Sequence, residues 1–112
     1  MSKAGPRRAV EPDMAGYLFT PGAREDLADI WLYTEEAWGE GQADRYVEAL
    51  FDCCARISAG TAPGRVVPGA EGVHSHRCQH HVIFFLRGDD EAIIIALFHE
   101  RMDLMRRLAG RL

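Results

Sequence analysis

Residues 74–85 read HSHRCQHHVIFF and place four histidines and a cysteine in the eight positions before an apolar run. Side chains alternate faces along a β-strand. A single strand here would therefore point His74, His76, Cys78 and His80 the same way, which is a zinc-ligand set by type. Same-face neighbours on a strand stand roughly 6.5–7 Å apart, so four in a row cannot close a tetrahedron on one ion. No CxxC or HExxH spacing supports a metal, and a tight turn around 77–80 would break the row. The stretch is read as a strand end, with no metal and no cofactor expected.

A second chemical candidate is LFHERMDLMRR at 97–107. His99 follows an apolar strand, where a general acid or base can sit, and arginines nearby could steady phosphate charge. On the residues alone, a strand-end histidine followed by a basic C-terminal helix explains the pattern as well. Cys53, Cys54 and Cys78 have no basic partner in a fixed motif, and GxSxG, P-loop and GxGxxG patterns are absent. Adjacent Cys53 and Cys54 cannot bridge each other. Three free thiols in a reducing cytoplasm are the expectation.

The elements that must hold these residues follow from the periodicity. The 112 residues suit one domain. Residues 1–13 lack periodicity and are expected to form a flexible arm, with residues 14–112 as the folded domain and Met14 as a possible natural start. A strand at 17–19 precedes Thr20 and Pro21, an N-cap followed by proline at the first helical position. Ala23, Leu27, Ile30, Trp31, Thr34 and Trp38 draw the apolar stripe of a helix over 21–38. After Gly39, a second helix to about residue 58 buries Ala43, Tyr46, Val47, Leu50, Phe51, Cys54 and Ile57. The short link makes the two an antiparallel hairpin. Period two then takes over, with strands near 73–77, 81–87 and 92–98 and a short basic helix at the end. The expected class is α+β: β-α-α-β-β-β, the hairpin on one face of a small antiparallel sheet.

Charge and hydropathy narrow the function. A net charge of −4 argues against bulk nucleic-acid binding. The apolar runs at 82–86 and 92–98 are too short to span a bilayer, and the N-terminus lacks the apolar core of a signal peptide. The acids of 21–50 meet only Arg24 and Arg45, whereas Arg101, Arg106, Arg107 and Arg111 crowd the C-terminal end. Strands 82–86 and 92–98 are apolar on both faces, although one helical hairpin covers only one. The other face calls for cover from the C-terminal helix or from a partner.

Several of these stretches are familiar together. Ala23, Asp26, Leu27, Ile30 and Trp31 spell A-x-x-D-L-x-x-I-W; Trp38, Gly39, Gln42 and Ala43 spell W-G-x-x-Q-A; and H-V-I-F at 81–84 is followed by L-F-H-x-R-M-D at 97–103. Over roughly residues 17–108 the chain resembles the ParE branch of the RelE/ParE toxin superfamily. The resemblance implies a non-enzymatic toxin of a type II toxin–antitoxin pair that inhibits DNA gyrase by protein binding. It also implies neutralisation by a ParD-like antitoxin in a hetero-oligomer that reaches DNA only through the antitoxin. The alternatives are a RelE-type ribosome-dependent endoribonuclease using His99, or a decayed toxin serving as co-repressor. Cleaving relatives commonly carry arginine where this chain has Leu86 and Ala96, so the even-numbered face is read as an uncharged groove. Val82, Phe84, Leu86, Ile94, Ala96 and Phe98 are the expected antitoxin contacts, wet in the isolated chain. Ile83, Phe85, Ile93, Ile95 and Leu97 are the expected core. Arg101, Met102, Arg106 and Arg107 are the expected target contacts.

Overall fold

A computed structural model describes residues 16–112; the expected arm at 1–13 and Met14 lie outside them. Strand β1 (Tyr17–Phe19) leads into helices α1 (Pro21–Trp38) and α2 (Glu40–Ala59). Strands β2 (Arg65–Val66), β3 (Val73–Cys78), β4 (His81–Arg87) and β5 (Ala92–His99) follow, and α3 (Leu104–Arg111) closes the chain. The Thr20 hydroxyl accepts the Ala23 N–H at 3.1 Å, the N-cap that the sequence advertises. Gly39 alone joins α1 to α2 at φ +95°, a backbone conformation that any side chain would strain. The Trp31 indole N–H ties the two helices together by donating to Asp44 Oδ1 at 2.9 Å.

The five strands lie in the order β1-β5-β4-β3-β2. The sheet is mixed and not wholly antiparallel, because β1 pairs parallel with β5. The α-hairpin returns the chain to the sheet at β2, two residues that pair antiparallel with β3 and that periodicity could not detect. Helices α1 and α2 bury Leu27, Ile30, Trp31, Leu50, Phe51 and Ile57 against Tyr17, Phe19, Ile83, Phe85, Ala92, Ile94 and Leu97. Trp38 departs from its stripe. It falls in the last turn of α1, is 74% exposed and borders a cleft.

The expected face assignment holds for β4 and fails in half of β5. Phe84 pairs with Ala96, but Phe85 pairs with Ile94, so Ile95 is an extra residue in β5. A bulge resets side-chain alternation. Ala92 and Ile94 therefore face the helices, and Ile93 and Ile95 face away. Ile94, expected on the groove, lies in the main core instead. Nor is the second face open. Val82, Phe84, Ala96 and Phe98 are buried there with Leu108 of α3 and with Val67 and Ala70 of the β2–β3 loop. Leu86 is partly buried at its edge.

Pairing with β1 ends at Ile94, so the next stretch of β5 has a free edge on that side, and two charged side chains take backbone groups there. Arg111 donates to Ile95 O at 2.9 Å, and Asp26 Oδ2 accepts the Leu97 N–H at 3.0 Å. The two also pair with each other at 3.0 and 3.1 Å, and the Arg111 guanidinium lies over the Phe98 ring. This fork-to-fork pair fastens α3 to α1 across the end of β5.

The expectation of three free thiols is corrected: Cys53 and Cys78 form a disulfide, and only Cys54 is free. Cys53 lies on the sheet-facing side of α2, and helix-on-sheet packing brings it to the end of β3, a pairing that adjacency in sequence conceals. Burial pushes the Cys54 thiol up to about 12, so it stays protonated.

Because Phe84 is only 2% exposed beneath α3, Phe84→Ala is expected to cost about 3–5 kcal/mol of folding stability. Arg111→Met should cost about 1–3 kcal/mol, since it strands Asp26 and the Ile95 carbonyl. Urea unfolding followed by circular dichroism measures both; a Phe84→Ala midpoint equal to wild type would mean that the second face is solvent-exposed.

Candidate functional site

Where the β3–β4 turn meets the end of β5, the sheet opens into a cleft of about 990 Å³. Tyr33 and Trp38 of α1 and Tyr46 of α2 form one wall, and His80, His81, His99 and Glu100 form the other. Arg101 and Met102 from the turn after β5, with Arg107 and Arg111 of α3, close it.

Hydrogen bonds tie the two walls together. Tyr46 Oη accepts the His80 backbone N–H at 3.0 Å and lies within hydrogen-bond distance, 2.7 Å, of His81 Nδ1. Burial, reinforced by His99 and His80 nearby, lowers the His81 imidazole to about 4, so it is neutral near pH 7. Burial likewise raises Tyr46 above the usual phenol range, partly offset by the His80 N–H. The His99 ring stands edge-on to His81 at 5.2 Å and stacks on His80 at 6.4 Å. Its Nδ1 accepts the Arg101 N–H at 3.1 Å. Glu100 is held below the ordinary carboxylate range, first by its hydrogen bond to His80 and then by Arg77.

The histidine-rich stretch splits accordingly. His74 stacks on Phe85, and His76 bonds the Pro63 carbonyl at 2.9 Å. Cys78 is tied to Cys53, while His80 and His81 join the cleft. Among the described residues, no group of three or more His, Cys, Asp or Glu converges on an ion position.

His99 lies in the cleft, where its Nδ1 accepts the Arg101 N–H, and Glu100 beside it bonds His80. Of the four expected target-contact residues, Met102, Arg106 and Arg107 line one shallow depression over Asp103 and Gly110, while Arg101 borders the histidine cleft with Met102 and Arg107. Asp103 caps α3 by accepting the Arg106 N–H at 3.4 Å, which fixes where that helix begins. Val82, Phe84, Leu86, Ala96 and Phe98 share the second face, as described, without Ile94.

Sequence reasoning missed Tyr46, His80, His81, Glu100, Asp26 and Arg111 as a connected set. Their one sequence signal was a helix stripe with polar atoms, Tyr46 and Asp26 among apolar neighbours.

The comparisons agree on one family. The family described as ParE toxin of type II toxin-antitoxin system, parDE, matches residues 17–104. Toxin ParE of Escherichia coli is 41% identical over 101 residues, covering 88% of this chain and 98% of that protein. Toxin ParE1 of Mycobacterium tuberculosis is 30% identical over 94 residues, 82% of this chain and 96% of the relative. Toxin ParE1 of Caulobacter vibrioides is 30% identical over 97 residues, 85% and 99% respectively. Among solved structures, the chromosomal ParDE TA system from P. aeruginosa superposes with a TM-score of 0.66 at 18% identity. That match covers 75% of this chain and 94% of the other, a likeness of fold.

The neutral His81 makes stability depend on pH. Its folded value of about 4 lies below the ordinary 6.5, so the unfolded chain binds the proton more tightly. The associated stability is complete above about pH 6.5 and disappears as pH falls toward 4, a loss of at most about 3 kcal/mol. Urea midpoints at pH 7, 5.5 and 4 should fall steeply for wild type and clearly less for His81→Gln. Equal slopes would show that His81 titrates freely in the folded chain.

Proposed function

The chain belongs to the ParE toxin family of type II toxin–antitoxin systems, and we propose that it acts by protein binding, as an inhibitor of DNA gyrase neutralised by a ParD-like antitoxin. The observation that carries this reading is the surface built by Arg101, Met102, Arg106 and Arg107. Met102 is 38% exposed and the three arginines are exposed, on the turn before α3 and on α3 itself, a helix fixed from behind by Arg111 and Asp26. Arginine on a rigid support is a common binding hot spot, because its fork grips carboxylates while its stem packs on apolar surface. The residues at positions 86 and 96 support the same reading, since Leu86 and Ala96 offer nothing to hold a scissile phosphate. His99, engaged by the Arg101 amide and unattended by a carboxylate, is a poor general base.

Antitoxin recognition belongs, in this reading, to Val82, Phe84, Leu86, Ala96 and Phe98. Leu108 is the one fully buried side chain that α3 sets on that face. A longer apolar segment of the antitoxin could therefore replace α3 there and move Arg106 and Arg107 out of register with the target. The complex would be a hetero-oligomer, meeting operator DNA only through the antitoxin. The site of action would be the cytoplasm, where gyrase works; among the described residues, no helix is long and apolar enough to cross a membrane.

Supercoiling by purified gyrase provides the test. Wild type should inhibit it, and Arg106→Ala/Arg107→Ala should weaken inhibition by about 30-fold, the equivalent of one hot spot of about 2 kcal/mol. His99→Ala should change inhibition by less than about threefold, whereas loss of a general acid or base costs at least about a hundredfold in rate. Unimpaired supercoiling together with His99-dependent cleavage of ribosome-bound messenger RNA would replace the binding mechanism with the ribonuclease one.

A further inference from the structure

The Cys53–Cys78 bridge joins α2 to the end of β3, immediately before the two-residue turn that carries His80. Seven residues earlier on α2, Tyr46 holds the other side of that turn through the His80 N–H and His81 Nδ1. Between the two fastenings, Gln79 sits at φ 59°, in the left-handed region that L residues seldom adopt without restraint. The histidine wall of the cleft is thus stapled to α2 covalently at one end and by hydrogen bonds at the other. The sulfurs also have unequal surroundings. The Arg56 guanidinium donates to Cys53 Sγ at 3.2 Å, whereas Cys78 Sγ has only the Ala49 carbonyl, at 3.6 Å. A cation beside a sulfur stabilises its thiolate and makes it the better leaving group.

We propose that Cys53–Cys78 is a reversible thiol–disulfide exchange site through which a dithiol reductant or a disulfide oxidant sets the order of the histidine cleft. In opening, one thiolate of the dithiol attacks Cys78 Sγ. The Cys53–Cys78 bond breaks, and Cys53 departs as a thiolate beside Arg56. The second thiolate of the reductant then attacks the mixed disulfide and releases Cys78, so the reductant leaves as a disulfide carrying the two electrons' worth of oxidation. Closing is the reverse, with oxidised glutathione accepting two electrons and, with two protons, becoming two thiols. Both cysteines are only 4% exposed, so attack follows local opening of the exposed turn at Gln79 and His80. Reduction removes the covalent fastening and leaves the Tyr46 hydrogen bonds alone to hold a left-handed Gln79. Cytosolic disulfides are most often of this transient, redox-sensing kind.

The whole chain, equilibrated in glutathione buffers of graded ratio and alkylated for mass spectrometry, should show Cys53 and Cys78 converting together while Cys54 keeps one state. Reduction of wild type should raise hydrogen exchange of the His80 amide at least tenfold and move the His81 titration midpoint upward, read by nuclear magnetic resonance. Arg56→Gln should slow opening by dithiothreitol about threefold or more, as the leaving thiolate loses its cation. Three freely alkylated cysteines at every glutathione ratio would overturn the proposal. So would a bridge that opens and closes while the His80 amide and His81 stay unchanged, for the disulfide would then be an inert staple. An unaltered opening rate in Arg56→Gln would overturn the assignment of Cys53 as the leaving sulfur.

Discussion

The fold depends on the edge of β5 that β1 leaves uncovered. Pairing with β1 ends at Phe19 and Ile94, and a buried unpaired amide or carbonyl costs about as much as a lost hydrogen bond. Here the Leu97 N–H goes to Asp26, and the Ile95 carbonyl goes to Arg111, with a longer contact from the Thr20 hydroxyl at 3.5 Å. Asp26 and Arg111 are partly buried there and pair with each other. The aspartate comes from the first turns of α1 and the arginine from the last turn of α3. One uncovered strand edge therefore fixes the position of both flanking helices. The hydrogen bonds to the Asp26 carboxylate raise the already high Arg111 value further.

That arrangement separates two surfaces that β5 serves at once. Before the bulge, Ala92 and Ile94 supply the helix-side core; after it, Leu97 does the same, and Ile95, Ala96 and Phe98 supply the second face. Arg111 keeps α3 on that second face and in doing so presents Met102, Arg106 and Arg107 outward. Cover of the apolar face and display of the basic surface are consequences of the same anchor.

The bulge also creates the cleft. Counting back from the Arg87↔Ala92 pair without an extra residue would set His81 opposite Phe98; the observed partner is His99. Only with that shift do His81 and His99 become neighbours, with Tyr46 closing over His81 from α2 and Glu100 beyond the strand end. The neutral state of His81 follows from burial in this corner and has no counterpart in its immediate sequence, where His80 is exposed.

The helices, their caps and the strand segments were legible in the chain, because each depends on spacing along a few neighbouring residues. Thr20–Pro21 starts α1, Gly39 ends it, Gly60 in the left-handed conformation ends α2, and GDDE links β4 to β5. The family was legible too, since its motifs lie in contiguous stretches. The joint position of Met102, Arg106 and Arg107 required only that α3 begin near Asp103. What the chain alone withheld were relations across long separations. A β-bulge leaves no periodic mark in an apolar run such as AIIIALF, so the faces of Ile93, Ile94 and Ile95 were decided by pairing with β4. The parallel pairing of β1 with β5, the Cys53–Cys78 bridge, and the Asp26–Arg111 clamp each join residues that meet only after α1 and α2 have packed on the sheet. Local sequence sets the elements because backbone preferences act over a few residues. Tertiary packing sets which polar groups lose water, and those groups then have to find one another.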